Sequence, residues 1–314
     1  MAVRKKGALF TIISIILVAS LIFSYISMNR YSEKDEIRVI QTRIVTINAF
    51  ISDIEQDIVR GLFISSMRSL IGLSEHIAEE GEYLGDLDKD FNEIMLNGTI
   101  MNVSINLTED ANFGTWMGKI IDIGEKLAVD VRFSGLGVKI YQEDPWNVKV
   151  AVLGKMNLSD MKGTASWSRD INLSTKLEIE DYEDPLYTIG TEGKLTNRIV
   201  RSNITDFVVG SDASNLKLHA NNSWYIASNL SPSFIMRLTG NFSASPNGIE
   251  SIVNIPELQV AWPPAYYPGR STVDYIYFDN TTVSNCMVNE TKIEMPWFRL
   301  DDDHLDIYET VCAS

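Results

Sequence analysis

Twenty consecutive residues, Ala8 to Ser27, carry no charge and are almost wholly apolar. As a helix rising about 1.5 Å per residue, the run is about 30 Å long, the thickness of a bilayer's hydrocarbon core. Arg4, Lys5 and Lys6 stand on its N-terminal side only, while Arg30, Glu33, Lys34, Asp35 and Glu36 after it roughly cancel. The positive-inside rule then predicts a cytoplasmic N-terminus, with everything after Asn29 outside the cell membrane. A cleaved signal peptide usually has a shorter apolar region, of about 7–15 residues, closed by a small-x-small site. This run is longer and no such site follows it, so the expectation is a retained single-pass anchor in the lipid bilayer.

The rest of the chain fits an exterior location. Asn-x-Ser/Thr acceptor sites occur at Asn97, Asn102, Asn106, Asn157, Asn172, Asn203, Asn221, Asn229, Asn241, Asn280 and Asn289. Composition alone would give about three, so these eleven predict a glycosylated ectodomain. The two cysteines, Cys286 and Cys312, lie in the last tenth of the chain. In an oxidising compartment they most simply form one bridge, worth about 3 kcal/mol. The net charge of −15 repels nucleic acid and anionic lipid head groups, so neither is expected as a ligand.

A stripe of isoleucine continues the anchor. Ile37, Ile40, Ile44, Ile47, Ile51, Ile54 and Ile58 follow an unbroken 3-4 spacing that Leu62 extends. This spacing buries a narrow helical seam, with Arg38, Gln41, Arg43, Asn48, Asp53 and Glu55 on the solvated side. The first proline is Pro145, so nothing interrupts a helix from residue 8 to about 60. A continuation or second helix reaches about 79, with Gly61 and Gly72 as weak points and Gly81 and Gly85 as terminators. The seam can pack against the chain's own β-domain or against copies of itself, since Ile at both a and d favours three- or four-stranded parallel bundles. Val39, Val45 and Phe50 widen the face toward the globular alternative.

The remainder reads as mostly β. Alternation at 98–108, Val129–Phe133, 136–140, 147–153, 164–168, 171–179, 186–189, 206–209, 216–227 and Val273–Tyr277 predicts strands, with Gly135 and Gly137 at a bend. Helical spacing predicts a helix over 113–126 capped near Asn112, a short helix after Ser231-Pro232, and another over Gly248–Leu258. The expected fold is α+β. A basic leader at 1–7 precedes a transmembrane helix at 8–28 and an extracellular amphipathic helix at 29–80. A β-rich ectodomain of one or two subdomains then occupies 81–314, with a few short helices.

Lys6-Gly7-Ala8-Leu9, followed by an apolar helix that turns amphipathic outside the membrane, resembles the class III signal sequence of archaeal type IV pilin-like proteins. The resemblance covers about residues 1–60. It implies cleavage after Gly7 by a dedicated peptidase, a mature N-terminus at Ala8, and an N-terminal helix that anchors the subunit and can pack with pilin-like subunits. Many members carry Glu at the fifth mature position, where this chain has Ile12; members without it occur among minor subunits. Moving such a helix from lipid into a filament exchanges one apolar surrounding for another, so packing detail decides the association. The head, including Glu143-Asp144-Pro145-Trp146 and Gly248-Ile249-Glu250, is similar to uncharacterised membrane-anchored archaeal proteins, which brings no assigned activity.

Candidate chemical sites are few. Of the three histidines, His76, beside Glu75 and Glu79, and His219, in a predicted strand, have no clear partner in sequence, while His304 falls in the run Asp301-Asp302-Asp303-His304. Asp301, Asp302, Asp303, Asp306 and Glu309 form the densest acidic cluster, with Asp301, Asp303 and Asp306 the candidate metal ligands. Hard cations want such oxygens in a compact loop, but the spacing does not match a calcium loop and lacks its glycine. Glu180, Asp181, Glu183 and Asp184 form a second acidic run. Trp262, Tyr266, Tyr267, Trp297 and Phe298 read as core aromatics or a ligand-facing patch. No G-x-S-x-G, H-E-x-x-H or phosphate-loop motif occurs. The expectation is a non-enzymatic structural or interaction protein without cofactor: a minor or accessory filament subunit or an adhesive surface protein. The alternative is a surface hydrolase or cation-dependent binding domain on a coiled-coil stalk.

Overall fold

The computed structural model describes residues 3–163, 165–279, 281–291 and 294–313, with side chains for all of these but 3–12, 29–36 and 290. The fold is α+β, a long N-terminal helix followed by a β-rich portion. The first helix, α1, runs unbroken over Val3–Glu80, 78 residues or about 117 Å. Gly81 closes it at φ +72°, its N–H bonding to the Ile77 carbonyl at 2.9 Å. Gly61 and Gly72 are close approaches rather than weak points. A Cβ on Gly61 would lie 2.6 Å from the Trp116 ring, and one on Gly72 2.9 Å from Ile94 Cδ1.

The outer half of α1 is the spine of the head. Asp86 caps α2 (Leu87–Asn97) by accepting from Lys89 N–H at 3.0 Å, and Asn112 caps α3 (Phe113–Lys126) through Thr115 N–H at 2.8 Å. Between them, β1 (Thr99–Ile100) and β2 (Val103–Ser104) form a small hairpin, followed by a 3₁₀ turn at Asn106–Thr108. Met101 and Asn102 sit at positive φ in its turn, which breaks the single strand expected over 98–108.

The main sheet has three antiparallel strands in the order β3 (Val129–Asp144), β4 (Asn147–Asp160), β5 (Ser166–Glu178). Gly135 and Gly137 do not turn the chain; they form a register shift within one long β3. The turn comes instead at Pro145-Trp146. There Asp144 Oδ1 accepts from Trp146 N–H at 3.0 Å and from Asn147 Nδ2 at 2.8 Å. Val131, Val138, Ile140, Val148, Val150, Val152, Leu158, Ile171 and Leu177 are buried in one cluster with Ile47, Ile51, Ile54, Ile58 and Leu62 of α1.

Beyond the sheet the chain is mostly turns and short elements around a second apolar cluster. These are α4 (Pro185–Gly190), α5 (Ser214–Asn222), β6 (Tyr225–Ala227), α6 (Phe234–Leu238), β7 (Ile249–Ser251), α7 (Ile255–Ala261), α8 (Asp274–Phe278), β8 (Asn285–Met287), β9 (Arg299–Asp301) and α9 (Asp302–Leu305). Strands expected at 186–189, 216–227 and Val273–Tyr277 are therefore helices α4, α5 and α8, with only Tyr225–Ala227 extended. Residues 206–209 are irregular, with only Val209 in a single antiparallel bridge to Asp212, and the helix expected over 248–258 is β7 followed by α7. The Asp184 side chain caps α4, and this local bonding outweighs the alternation there; α5 and α8 have no side-chain cap.

The seam divides at the lower edge of the head. Ile47, Ile51, Ile54 and Ile58 are at most 3% exposed, whereas Ile37, Ile40 and Ile44 are 56, 42 and 37% exposed. Ile58→Ala is therefore expected to cost ~2–5 kcal/mol of stability, and Ile40→Ala no more than about 0.5 kcal/mol. Urea denaturation of the detergent-solubilised chain measures both; equal losses would refute the division.

Candidate functional site

The helix–head junction is held by Arg43. Its Nε donates to Asp160 Oδ1 at 3.0 Å, and its Nη2 to the Leu127 and Ala128 carbonyls at 2.5 and 2.9 Å. One guanidinium thus ties α1 to the end of α3 and to the last residue of β4, the lowest points of the head. Below it α1 is bare. Ile13 to Met28 span ~24 Å of helix, and all but Ser27 are exposed, including Ile15, Ile16, Leu17, Val18, Leu21, Ile22 and Phe23. Among the described residues no helix is long and apolar enough to cross a membrane. Lys6, Gly7 and Ala8 lie on the helical backbone of α1, outside the described side chains.

Asn97, Asn102, Asn106, Asn172, Asn203, Asn221, Asn229, Asn241 and Asn289 are exposed on the head. Asn157, in β4, is half-buried and accepts from Ser168 Oγ across the strand pair at 2.8 Å. Asn280 lies outside the described residues.

Cys286 and Cys312 form a disulfide, joining β8 to the C-terminal segment. The acidic cluster beside it does not converge as a cation loop. Asp301 is buried and turned inward, Asp302, Asp303 and Asp306 point to solvent, and Glu309 Oε2 accepts from Phe207 N–H at 2.8 Å. No group of acidic, His or Cys side chains among the described residues could hold a metal ion. The aromatic set divides: Phe298 is core, Trp262 and Trp297 are half-buried, and Tyr266 and Tyr267 are exposed, with Arg270 stacked 3.8 Å over Tyr267.

Sequence reasoning missed the most unusual feature of the head, a buried charge centre. Arg237 of α6 is fully buried. Its Nη1 bonds Asp184 Oδ2 at 2.6 Å and Asp274 Oδ2 at 2.9 Å, and its Nη2 reaches the Ile249 carbonyl. Asp184 also accepts from Leu186 N–H at 3.0 Å and Tyr225 Oη at 2.8 Å, while Asp274 accepts from the N–H and Oγ of Ser251 at 3.0 and 2.8 Å. Burial pushes Asp184 upward against the pull of Arg237, with the Asp274 charge adding to the rise. Burial alone would lower Arg237, but the two aspartates outweigh it and raise the guanidinium further.

A second buried set adjoins the first through β7. His304 Nδ1 lies 2.6 Å from Asp301 Oδ1, and its Nε2 lies 3.2 Å from Tyr275 Oη and 3.3 Å from Glu250 Oε2. Burial would lower His304, but its contacts with Asp301 and Glu250 prevail and raise it to about 10, making it a permanent cation near neutrality. Burial would raise Asp301, but the same contact with His304 holds it below the usual carboxylate range. The three residues of β7 thus serve both sets: Ile249 and Ser251 face Arg237 and Asp274, and Glu250 faces His304. His219 lies in α5, not in a strand; it is buried beside Phe207 and Tyr308, and burial lowers it to about 4. His76, near the end of α1, is half-buried.

The sequence signal for this centre was a charge embedded in an apolar run: Arg237 within Phe234–Leu238, Glu250 within Ile249–Val253, and Asp274 within Val273–Phe278. Compared with family models, curated proteins and solved structures, the chain matches none.

Two outcomes follow from the charge centre. Arg237→Met leaves Asp184 and Asp274 buried without their cation and is expected to cost ~3–5 kcal/mol, measured by thermal or urea unfolding. His304 binds its proton more tightly folded than unfolded, so its contribution is complete below pH 6.5 and declines as pH rises to about 10. The stability gap between the native chain and His304→Gln should be constant below that window and shrink across it. A gap independent of pH would show that folding leaves the proton affinity of His304 unchanged, and would refute the raised value.

Proposed function

We propose that this chain is a membrane-anchored structural or interaction protein of pilin-like architecture, with its head on the cell exterior. The observation that carries the reading is the bare apolar surface of α1. Leu17, Leu21, Ile22 and Phe23 are each more than half exposed and no element of the head covers them. In water a continuous apolar helix of this size needs a cover, and an uncharged run of about 30 Å, basic at one end only, is matched by a bilayer. Residues 8–28 would sit in lipid, and Arg43 would hold the head ~22 Å beyond Met28 along the same helix.

Three further features support an exterior head: the Cys286–Cys312 disulfide, the exposure of nine acceptor asparagines, and the acidic composition. In this reading Ile37, Ile40 and Ile44 lie between bilayer and head, free to meet pilin-like subunits or further copies of the chain. The head then acts as a minor or accessory filament subunit or a displayed adhesive domain, and no catalytic step is assigned to it.

N-terminal mass spectrometry of the native protein tests the processing. The expected species begins at Ala8, and Gly7 substitution should leave the leader attached. An intact Arg4-Lys5-Lys6 start in the native protein would overturn the pilin-like processing while leaving the anchor in place. Protease added to intact cells tests the anchor and its orientation separately: digestion of residues 81–314 is expected, and their protection would overturn the exterior location.

A further inference from the structure

A groove of about 440 Å³ runs between the upper part of α1 and the segment that follows β5. Its floor is apolar, formed by Met67, Ile71 and Ala78 of α1 and by Tyr182 opposite. The apolar surface continues down the same helix through Phe63 and Ile64, which are 43 and 40% exposed. The rim is acidic: Glu75, Glu180, Asp181 and Glu183, against the single cation Arg198. None of these four carboxylates makes an ion pair among the described residues.

The wall opposite α1 is fixed by backbone bonds. Asp181 N–H donates to the Ile199 carbonyl at 3.0 Å, Ile199 N–H to the Tyr182 carbonyl at 2.8 Å, and Asp184 N–H to the Asn197 carbonyl at 2.9 Å. The groove is therefore preformed, and a ligand would bear little ordering cost on the protein side. Its volume falls in the range of ligand pockets, and none of the acceptor asparagines lines it.

We propose that this groove docks a basic, apolar peptide segment of a partner protein, with aliphatic side chains on Met67, Ile71 and Tyr182 and Lys or Arg side chains on the carboxylate rim. Charge decides the occupant. A second copy would bring the same acidic rim and the same net charge of −15, placing like charges against each other. A cationic segment is drawn in by the rim while its apolar residues cover the floor. The inference stands on the head alone and does not need the anchor, so its failure would leave the proposed location untouched.

The test is titration of the full chain in nonionic detergent with a synthetic hexapeptide alternating arginine and leucine, against empty micelles and a matching glutamate–leucine peptide. Saturable binding of the basic peptide is expected. It should weaken roughly tenfold in Glu180→Lys/Glu183→Lys, and stay unchanged in Asp88→Lys/Asp303→Lys, which reverses as much charge elsewhere. Met67→Gln, an exposed position on α1, should weaken it while leaving the fold intact by circular dichroism. No binding above empty micelles, equal binding of the acidic peptide, or equal loss in both charge-reversed variants would overturn the proposal. So would cross-linking of two copies through cysteines placed at Phe63 and Met67 in the otherwise native chain.

Discussion

The seam from Ile47 to Ile77 is the constraint on which the head depends. The main sheet has three strands and buries one face, so it cannot enclose a core alone. α2 and α3 are 11 and 14 residues long, too short to be stable as isolated helices in water. Each of these elements buries its apolar side against the same helix. Every buried Ile or Leu of α1 contributes roughly 1.5–3 kcal/mol of apolar transfer, and the contribution exists only while α1 stays straight and continuous. The small residues of this half follow from the crowding. Gly61 receives Trp116, Gly72 receives Ile94, and Ser65, Ser66 and Ser69 are buried where larger side chains would push the layers apart.

The distal part of the head solves a different problem. Its segments are short, and much of its backbone lies in turns, so apolar burial alone specifies their arrangement poorly. The buried charges supply direction. Arg237 must meet Asp184 from the start of α4, Asp274 from the start of α8 and the carbonyl of Ile249 in β7 at once. A displaced segment would leave a buried charge without its partner, which costs far more than a displaced methyl group. His304 repeats the device with Asp301 and Glu250. Glu250 lies between two residues that serve the first set, so the two charge groups act on one strand. The disulfide then fixes the C-terminal segment to the same region.

What the sequence made legible follows the range of the interactions. The 3-4 repeat of isoleucine spans many turns, and its helix emerged with the expected stop at Gly81. The Asn112 cap and the 113–126 helix were equally plain, because cap and apolar period agree. Short alternations misled. Leu216-Leu218-Ala220 and Val273-Tyr275-Tyr277 satisfy a strand period over five residues, yet both segments are helices, with Leu218 exposed and the tyrosines packed by surrounding turns. The charge centre was illegible as a site because its members are 90 residues apart in sequence, from Asp184 to Asp274, and no local spacing connects them. A lone charge in an apolar run marks Arg237, Glu250 and Asp274 without naming their partners, and Asp184 is hidden in an acidic run.

The bare stretch of α1 runs into the head without a break. Nothing in the sequence between Ala8 and Glu80 breaks the hydrogen-bond ladder, and the glycines within it are held by the head. The apolar run and the head therefore share one rigid axis, without the flexible linker that would separate an anchor from a freely tumbling ectodomain. Arg43 marks where the axis becomes encased, since its guanidinium binds three acceptors of the head at one level. Below that level Ile37 and Ile40, with the part-exposed Ile44 beside Arg43, continue the very face that the head covers above. A neighbour packing on them would therefore enter directly under the ends of α3 and β4 and meet both helix and head.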